Sequence, residues 1–310
     1  MIFVILLCLK NAFSVLCIPG GCDYIFSCIN GTSIGLSHLR NNLPCQDYSA
    51  CLQKSGYVIA AVADGHGAEP YFRSGRGSEL AVTIAIMAAE EFIKSSGDTL
   101  LKNTEDINRQ LSQLAKCIIS RWGDEVYEDF GAHPYSEEEI AKLPADWGFD
   151  DYIYSVYGST LLLSAVTEKY WFALQIGDGR IFVLGADGNF NEPVPWDENC
   201  FLNATTSICD TDAADEFRHY YSDKLPAAVF LCTDGVSEAY RNKKDLCKVL
   251  EQLVRILVSQ GKFKGKRVLD KMLPEISEYG NRDDTSLSCI YSKEMFLTKE
   301  NITPPKKSLK

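Results

Sequence analysis

Five aspartates lie next to short apolar segments of the chain, and a histidine stands beside one of them. Asp64 and His66 belong to the run Asp-Gly-His-Gly, which directly follows the small and β-branched residues 58–63. A single Asp-Gly pair is typical of a turn, because the carboxylate caps the turn and glycine tolerates a positive φ. Acids that recur where apolar segments begin or end indicate a site instead. The other four are Asp47, Asp178, Asp234 and Asp283.

These carboxylates predict a particular chemistry if the strands that carry them end at one edge of a sheet. The unpaired negative charges would then repel one another and raise each other's pKa. Hard divalent cations remove this cost, and an all-oxygen ligand set suits Mg²⁺ or Mn²⁺ rather than Zn²⁺. Two such ions, bridged by one acid and a water, would lower the pKa of that water and orient it for in-line attack on phosphorus.

The strands that must position the acids are visible in the hydrophobic pattern. Six short runs rich in Val, Ile, Leu and aromatic residues, bounded by glycine or acids, predict strands. Three of them follow one another within residues 158–184 with only short turns between, so we expect an antiparallel meander there. The six predicted strands are 57–63, 158–166, 170–176, 179–184, 228–233 and 285–291.

Helices are predicted between these strands. Apolar residues recur on one face of segments 78–96 and 104–122, which we expect to form an antiparallel hairpin that covers a sheet face. Gly97 is the predicted stop of the first helix, and Asn103 with Thr104 is the predicted cap of the second.

Three further segments complete the pattern. An apolar stripe over residues 246–257 predicts a third helix. Residues 123–156 are acidic and aromatic and contain two prolines, which indicates an irregular connection. Residues 186–224 are rich in Asp, Asn, Pro and Thr and predict a long surface excursion.

The two ends of the chain are predicted to lie outside the folded domain. Residues 1–29 begin with an apolar run like that of a signal peptide, but it lacks a positive amino-terminal region and is too short to span a bilayer. We therefore predict an irregular leader and a cytoplasmic protein, with export or anchoring as the alternative. Residues 30–292 are predicted to form one α+β domain, and residues 293–310 a disordered tail.

Composition excludes several classes of protein. The chain has 310 residues, of which 46% are hydrophobic and 24% are charged, as in a folded protein. Its net charge of −11 argues against a nucleic-acid binder that relies on neutralising phosphates. Its 12 cysteines include no C-x-x-C pair, which argues against a zinc ribbon or a thioredoxin-like centre.

Five motifs follow one another along the chain: ADGHG at 63–67, GST at 158–160, GDGR at 177–180, TDGVSE at 233–238 and RDDTSL at 282–287. Together they resemble the motifs of the metal-dependent type 2C (PPM family) protein serine/threonine phosphatases, in a bacterial-style branch. The resemblance extends from Gly35 to Ile290. It implies an α+β fold of two packed antiparallel β-sheets flanked by helices on both sides, an α-β-β-α sandwich with the metal centre at one edge.

The resemblance also implies how the acids hold two Mn²⁺ or Mg²⁺ ions. Asp64 would bridge the two metals, and the carbonyl of Gly65 would bind one of them. Asp234 and Asp283 would hold the other metal, and Asp47 would act through its water shell.

Two further roles follow from the resemblance. Asp178, together with Asp234, matches a weaker position for a third metal. His66 would be the general acid that protonates the leaving serine or threonine oxygen, a role suited to an imidazole near neutral pH.

The chain departs from the family pattern in three places. Asn42 stands where eukaryotic members have an arginine that grips the phosphate, and Arg40 is the first choice to replace it, since the guanidinium fork suits phosphate. Gln46 replaces a glutamate, which removes one negative charge near the metals. Asp283 and Asp284 stand where most members have Asp-Asn, and Asp283 is taken as the ligand. The other candidates for phosphate are His38, Arg73 and Arg76.

The predicted function is hydrolysis of phosphoserine and phosphothreonine by a hydroxide that bridges two divalent metals, without a covalent enzyme intermediate. The alternatives are a non-catalytic regulator that keeps the phosphatase fold and a phosphatase of small metabolites. The predicted partners are phosphorylated protein substrates and a cognate Ser/Thr kinase. No nucleic acid and no membrane is expected as a partner, and the chain is predicted to be a monomer.

Overall fold

The computed structural model describes residues 25–96, 104–201 and 204–302. The predicted leader up to residue 24, the predicted helix stop at Gly97, the capping residue Asn103 and the last part of the predicted tail lie outside these residues. No helix in the described ranges combines the length and the apolar character needed to cross a membrane.

Ten strands form two antiparallel sheets of five strands each within the described residues. The first sheet, in spatial order, contains β1 (Ser27–Ser33), β10 (Thr285–Tyr291), β9 (Ala228–Cys232), β6 (Arg180–Leu184) and β7 (Phe190–Asn191). The second contains β2 (Tyr48–Lys54), β3 (Tyr57–Ala63), β4 (Leu161–Thr167), β5 (Trp171–Ile176) and β8 (Arg218–Ser222).

The helices pack on the outer faces of these sheets. The described residues include α1 (Leu36–Asn41), α2 (Ser74–Ser96), α3 (Thr104–Ala132), α4 (Glu137–Ile140), α5 (Phe149–Tyr154), α6 (Ala213–Glu216), α7 (Asp234–Ser237), α8 (Lys243–Gln260), α9 (Lys262–Tyr279) and α10 (Lys293–Ile302). Short 3₁₀ turns cover Glu69–Tyr71 and Ser155–Tyr157.

Three apolar layers hold the sandwich together. One layer lies between the two sheets and includes Val62, Leu162 and Leu231. The second joins β3, β4 and β5 to α2 and α3, and the third joins β9 and β10 to α8 and α9. Because β4 and β5 have a sheet on one side and helices on the other, all their residues are buried, which explains their continuous apolar sequence. The α-β-β-α fold class is confirmed.

The predicted meander over 158–184 is wrong at one point. β4 and β5 pair in an antiparallel manner, but β6 pairs with β9 and β7 in the other sheet. Short spacing excludes a crossover helix, but it does not exclude a corner that passes from one sheet to the other. The turn at Gly177 is such a corner, and it puts Asp178 at the edge where the two sheets meet.

Three boundaries differ from the predicted ones. The helix predicted over 104–122 continues to Ala132, so the segment predicted as irregular begins with nearly three further turns of helix. β1 begins at Ser27, three residues before the predicted start of the domain. Helix α10 occupies residues 293–302 of the predicted tail, and its Phe296 is buried.

Candidate metal centre

Strand register brings the five aspartates to one edge of the sandwich. Tyr48 pairs with Ala63, so Asp47 and Asp64 stand side by side where β2 begins and β3 ends. Cys232 pairs with both Leu287 and Arg180, which places the ends of β9, β10 and β6 together in the other sheet. Asp178, Asp234 and Asp283 lie within two residues of those ends.

Asp64 stands in the middle of this group. Burial raises the pKa of Asp64 well above its ordinary value, and the charges of Asp47, Asp234 and Asp283 raise it further. Thr160 fixes its backbone: the Asp64 N–H donates to Thr160 Oγ1 at 3.0 Å, and the Thr160 N–H donates to the Asp64 carbonyl at 2.8 Å. The acid is therefore held rigidly among three other negative charges.

Asp234 begins the short helix α7 directly after β9. Its Oδ1 is buried and takes no hydrogen bond from the described residues. Burial raises the pKa of Asp234 to about 6, the charges of Asp178 and Asp283 raise it as well, and a hydrogen bond with Asp64 opposes the shift. Ionised Asp234 therefore needs a neighbouring positive charge to offset its burial and the repulsion of the other acids.

Asp47 joins the two sheets at this edge. Its Oδ2 accepts a hydrogen bond from Thr233 Oγ1 at 2.8 Å, whereas its Oδ1 is buried without a donor among the described residues. Burial raises the pKa of Asp47 above its ordinary value, and Asp284 and Asp234 add to that increase.

The donor set fits hard divalent cations. Two carboxylate oxygens, on Asp47 and Asp234, are buried without hydrogen bonds, and all the ligands on offer are oxygen atoms. Across the described ranges, however, no group of three or more His, Cys, Asp or Glu side chains stands at the mutual spacing of a metal-binding cluster. The negative charges of these acids repel one another, and divalent cations bound among them would remove that cost.

Asp283 and Asp284 have different roles. Asp284 is buried, and its two oxygens accept from the backbone N–H groups of Gly35 and Gln46, each at 2.6 Å. His38 Nδ1 lies 3.0 Å from Asp284 Oδ2, and its hydrogen bond is with the Pro44 carbonyl at 3.1 Å. The two backbone donors tie the amino-terminal loop to β10. Asp283 is half-buried, and its Oδ1 accepts only the N–H of Asp284 among the described residues, at 2.8 Å. This supports Asp283 as the acid that faces a metal.

Gly65 has no space for a side chain. A Cβ atom there would lie 2.7 Å from the carbonyl oxygen of Ser74 and 2.8 Å from that of Gln46. The Gly65 N–H donates to the Gln46 carbonyl at 3.1 Å, and the Gly65 carbonyl takes no hydrogen bond from the described residues. That carbonyl is therefore available as a ligand.

His66 is oriented by its backbone and by a neighbouring ring. Its carbonyl accepts from Gln46 Nε2 at 3.0 Å and from Ser74 Oγ at 2.8 Å, and its ring meets Tyr71 edge-on with centroids 4.8 Å apart. Burial lowers the pKa of His66 to about 4. The imidazole is thus neutral at pH 7 in the free protein, whereas a general acid must carry a proton that it can donate.

The Gln46 side chain makes two hydrogen bonds that its position in the sequence did not indicate. Its side-chain amide donates to both the His66 carbonyl and Ser74 Oγ, the latter at 2.7 Å. A glutamate could not donate either bond. Gln46 therefore fixes the loop that carries Gly65 and His66.

The arginines predicted to bind the substrate phosphate differ in their contacts and exposure. Arg73 is engaged by Glu139 and by Tyr157, whose hydroxyl lies 2.9 Å from Nη1, and Arg76 pairs with Asp129. These contacts hold both arginines against neighbouring side chains at the start of α2. Arg40 is exposed on α1 and forms no ion pair within the part of the chain that the structure describes. Its contact with phosphate stays a prediction.

Sequence reasoning missed several residues that build the centre. Thr160 and Thr233 hold the acids, and the charge of Glu238 contributes to the raised pKa of Asp234. These three residues lie inside the quoted motifs GST and TDGVSE, so the motifs themselves were the available signal. Ser74, which binds the His66 loop, lies outside these two motifs.

A family model matches most of the chain. The family model described as "Protein phosphatase 2C" matches residues 34–274. No curated protein matches the chain in sequence.

Several solved structures share the fold at low sequence identity. A serine/threonine phosphatase from S. agalactiae has a TM-score of 0.52 and 15% identity, with 86% of this chain and 99% of that chain covered. The phosphatase Stp1 from Staphylococcus aureus has a TM-score of 0.51 and 13% identity, covering 88% and 99%.

A third similar structure carries metal. The catalytic domain of the serine/threonine protein phosphatase PstP, in complex with two manganese ions, has a TM-score of 0.51 and 13% identity, covering 86% of this chain and 97% of that one. At these identities the structures establish the fold, and the family model spans most of the sequence. The chain belongs to the protein phosphatase 2C family.

Proposed function

We propose that this protein is a metal-dependent phosphatase that hydrolyses phosphoserine and phosphothreonine in proteins by direct attack of water on phosphorus. The observation that carries the proposal is the group of buried acids around Asp64, which includes carboxylate oxygens without hydrogen bonds on Asp47 and Asp234. Family membership and the two manganese ions of PstP support it.

The acids would hold Mn²⁺ or Mg²⁺, with Asp64 between two ions. Asp234 and Asp283 would bind on one side and the Gly65 carbonyl on the other, with Asp47 acting through water and Asp178 at a weaker third position. Bound divalent ions supply a nucleophilic water of lowered pKa and neutralise charge on the phosphate. The protein fixes the ligands beforehand, through Thr160 at Asp64 and Thr233 at Asp47.

His66 would donate the proton that the departing serine or threonine oxygen requires. In the free protein its pKa of about 4 leaves the ring neutral at pH 7. A phosphate dianion beside the ring would raise that pKa, because an opposite charge favours the protonated form. The imidazole would therefore take up its proton together with the substrate and deliver it to the leaving oxygen.

The proposed substrates are phosphorylated proteins, which implies a Ser/Thr kinase that produces them. The test is phosphate release from a phosphothreonine peptide and from a small phosphorylated metabolite, each with Mn²⁺ and with EDTA. We expect Mn²⁺-dependent release with kcat/KM higher for the peptide. Equal or better hydrolysis of the metabolite would favour a small-molecule phosphatase, and no release from either would favour a non-catalytic regulator.

A further inference from the structure

The excursion over 186–224, predicted as a surface feature, is partly buried and reaches the turn that carries Asp178. Gly177, directly before Asp178, has a φ of +96°. Its N–H donates to Thr206 Oγ1 at 2.9 Å, and its carbonyl accepts from Arg218 Nη2 at 2.7 Å. Both backbone polar groups of Gly177 are thus held by side chains from a segment distant in sequence.

The residues that hold Gly177 are themselves fixed. Thr206 is 7% exposed and donates to Asp197 Oδ2 at 2.8 Å, and Asp197 is 5% exposed. Arg218 lies 3.4 Å from the same carboxylate oxygen and donates to the Pro195 carbonyl at 2.9 Å. Asp197 therefore holds Thr206 and Arg218 in a buried network, and both of these side chains bind the backbone of Gly177.

The same segment also reaches the loop that carries His66. Ser207 Oγ and the Ile208 N–H donate to the Ser159 carbonyl at 3.1 and 3.0 Å. Ser159 forms a β-bridge with Gly65, the residue before His66. Residues 206–208 therefore connect the His66 loop to the Asp178 turn.

The turn packs directly on a residue that fixes the central acid. A Cβ at Gly177 would clash with Thr160, whose backbone and hydroxyl both bond to the backbone of Asp64. A shift of the Gly177 turn would therefore move Asp178 relative to Asp64 and Asp234.

From these contacts we propose that Thr206 and Arg218 are positioning residues for Asp178. They hold the Gly177 turn so that the Asp178 carboxylate faces Asp234. A metal shared by these two acids binds tightly only when Thr206 and Arg218 keep their hydrogen bonds to Gly177. The inference rests on the proposed metal-dependent function and assigns part of the metal affinity to residues that bind no metal. Residues that orient ligands in this way typically contribute about 10- to 100-fold in metal affinity.

Two matched pairs of variants test the proposal in the full chain. Thr206→Val keeps the shape but removes the hydroxyl, whereas Thr206→Ser keeps it. Arg218→Lys keeps the charge but lacks the fork that reaches two carbonyls. Asn199→Ala is the control, because it removes only the exposed side-chain hydrogen bond to Glu216 and keeps the Asn199 N–H that donates to Asp197 Oδ1 at 3.0 Å.

The measurement is Mn²⁺ binding, followed by the electron paramagnetic resonance of free Mn²⁺, together with the Mn²⁺ dependence of phosphate release. We expect Thr206→Val and Arg218→Lys to weaken the weakest class of sites by about 10-fold or more while tighter sites change little. Thr206→Ser and Asn199→Ala should bind as the wild type does.

Unchanged binding in Thr206→Val and Arg218→Lys would overturn the proposal, and so would an equal loss at all sites, which would indicate a general effect on the fold. A wild type that shows no weaker class of sites would also overturn it. If the expected binding pattern is found but the wild type releases no phosphate from peptide or metabolite, the proposed function fails while the positioning role stands.

Discussion

Replacing Asp234 by asparagine should stabilise the protein without metal and destabilise it with metal. Burial and neighbouring acids raise the pKa of Asp234 to about 6 in the folded state. The ordinary value is about 3.9, and a shift of about two units corresponds to about 3 kcal/mol of unfolding free energy. Ionising Asp234 in the metal-free protein carries this cost, and an uncharged amide of the same shape avoids it.

The sign of the effect depends on pH. Because the folded-state pKa is raised, the cost is absent below about pH 4, where Asp234 is protonated in both states. It grows as the pH rises and is complete above about pH 6. In EDTA, Asp234→Asn should therefore be more stable than the wild type by up to about 3 kcal/mol at pH 7.5, and nearly equal to it at pH 4.

Urea unfolding at both pH values, in EDTA and in saturating Mn²⁺, measures these differences. At 100 times its dissociation constant, a ligand stabilises the folded state by about 2.7 kcal/mol. The wild type should gain about this much from Mn²⁺, and Asp234→Asn should gain much less. Asp284→Asn is the control: it loses charge-assisted hydrogen bonds from Gly35 and Gln46 and should be destabilised in both solutions. A metal-free Asp234→Asn that is less stable than the wild type at pH 7.5 would refute the reasoning.

Three further substitutions have defined outcomes. His66→Gln should slow release from a phosphothreonine peptide by about 100-fold or more but affect p-nitrophenyl phosphate much less, since a phenolate leaves without a proton; equal losses on both substrates would remove His66 as the general acid. Gly65→Ala places a Cβ 2.7 Å from the Ser74 carbonyl oxygen, so thermal unfolding should show a loss of about 1–3 kcal/mol and a smaller shift with Mn²⁺; a wild-type response would mean that the backbone accommodates the methyl group. Arg40→Ala should raise KM for the peptide by about 10-fold while Mn²⁺ binding is unchanged, as expected for a lost charged hydrogen bond; an unaltered KM would exclude Arg40 from phosphate binding.

The sequence predicted the strands β3, β4, β5, β6, β9 and β10 because nearly all their residues are buried. β3, β4 and β5 appear as unbroken apolar runs, and the short turn between β4 and β5 predicts their antiparallel pairing. The passage of β6 into the other sheet was not predictable in this way. A hairpin and a corner between sheets require the same few turn residues, and long-range pairing with β9 decides between them.

The candidate metal centre could likewise be predicted only in part from the sequence. Acids next to strand ends could be identified because the local sequence determines where each strand ends. The donors that distinguish Asp284 from Asp283 are the backbone N–H groups of Gly35 and Gln46, more than 200 residues away in sequence, and no local pattern indicates them. The burial that lowers the pKa of His66 is likewise a property of the packed loop and not of the motif.

The claim that Asp64 lies between two divalent ions is tested most directly by crystals grown with Mn²⁺. An anomalous difference map collected at the manganese absorption edge locates the ions independently of any activity. We expect two strong peaks, about 3.5–4 Å apart as in two-metal hydrolases, with Asp64 between them and Asp234 and Asp283 on one side. The absence of peaks at this edge of the sandwich, or a single peak bound by Asp284, would contradict it.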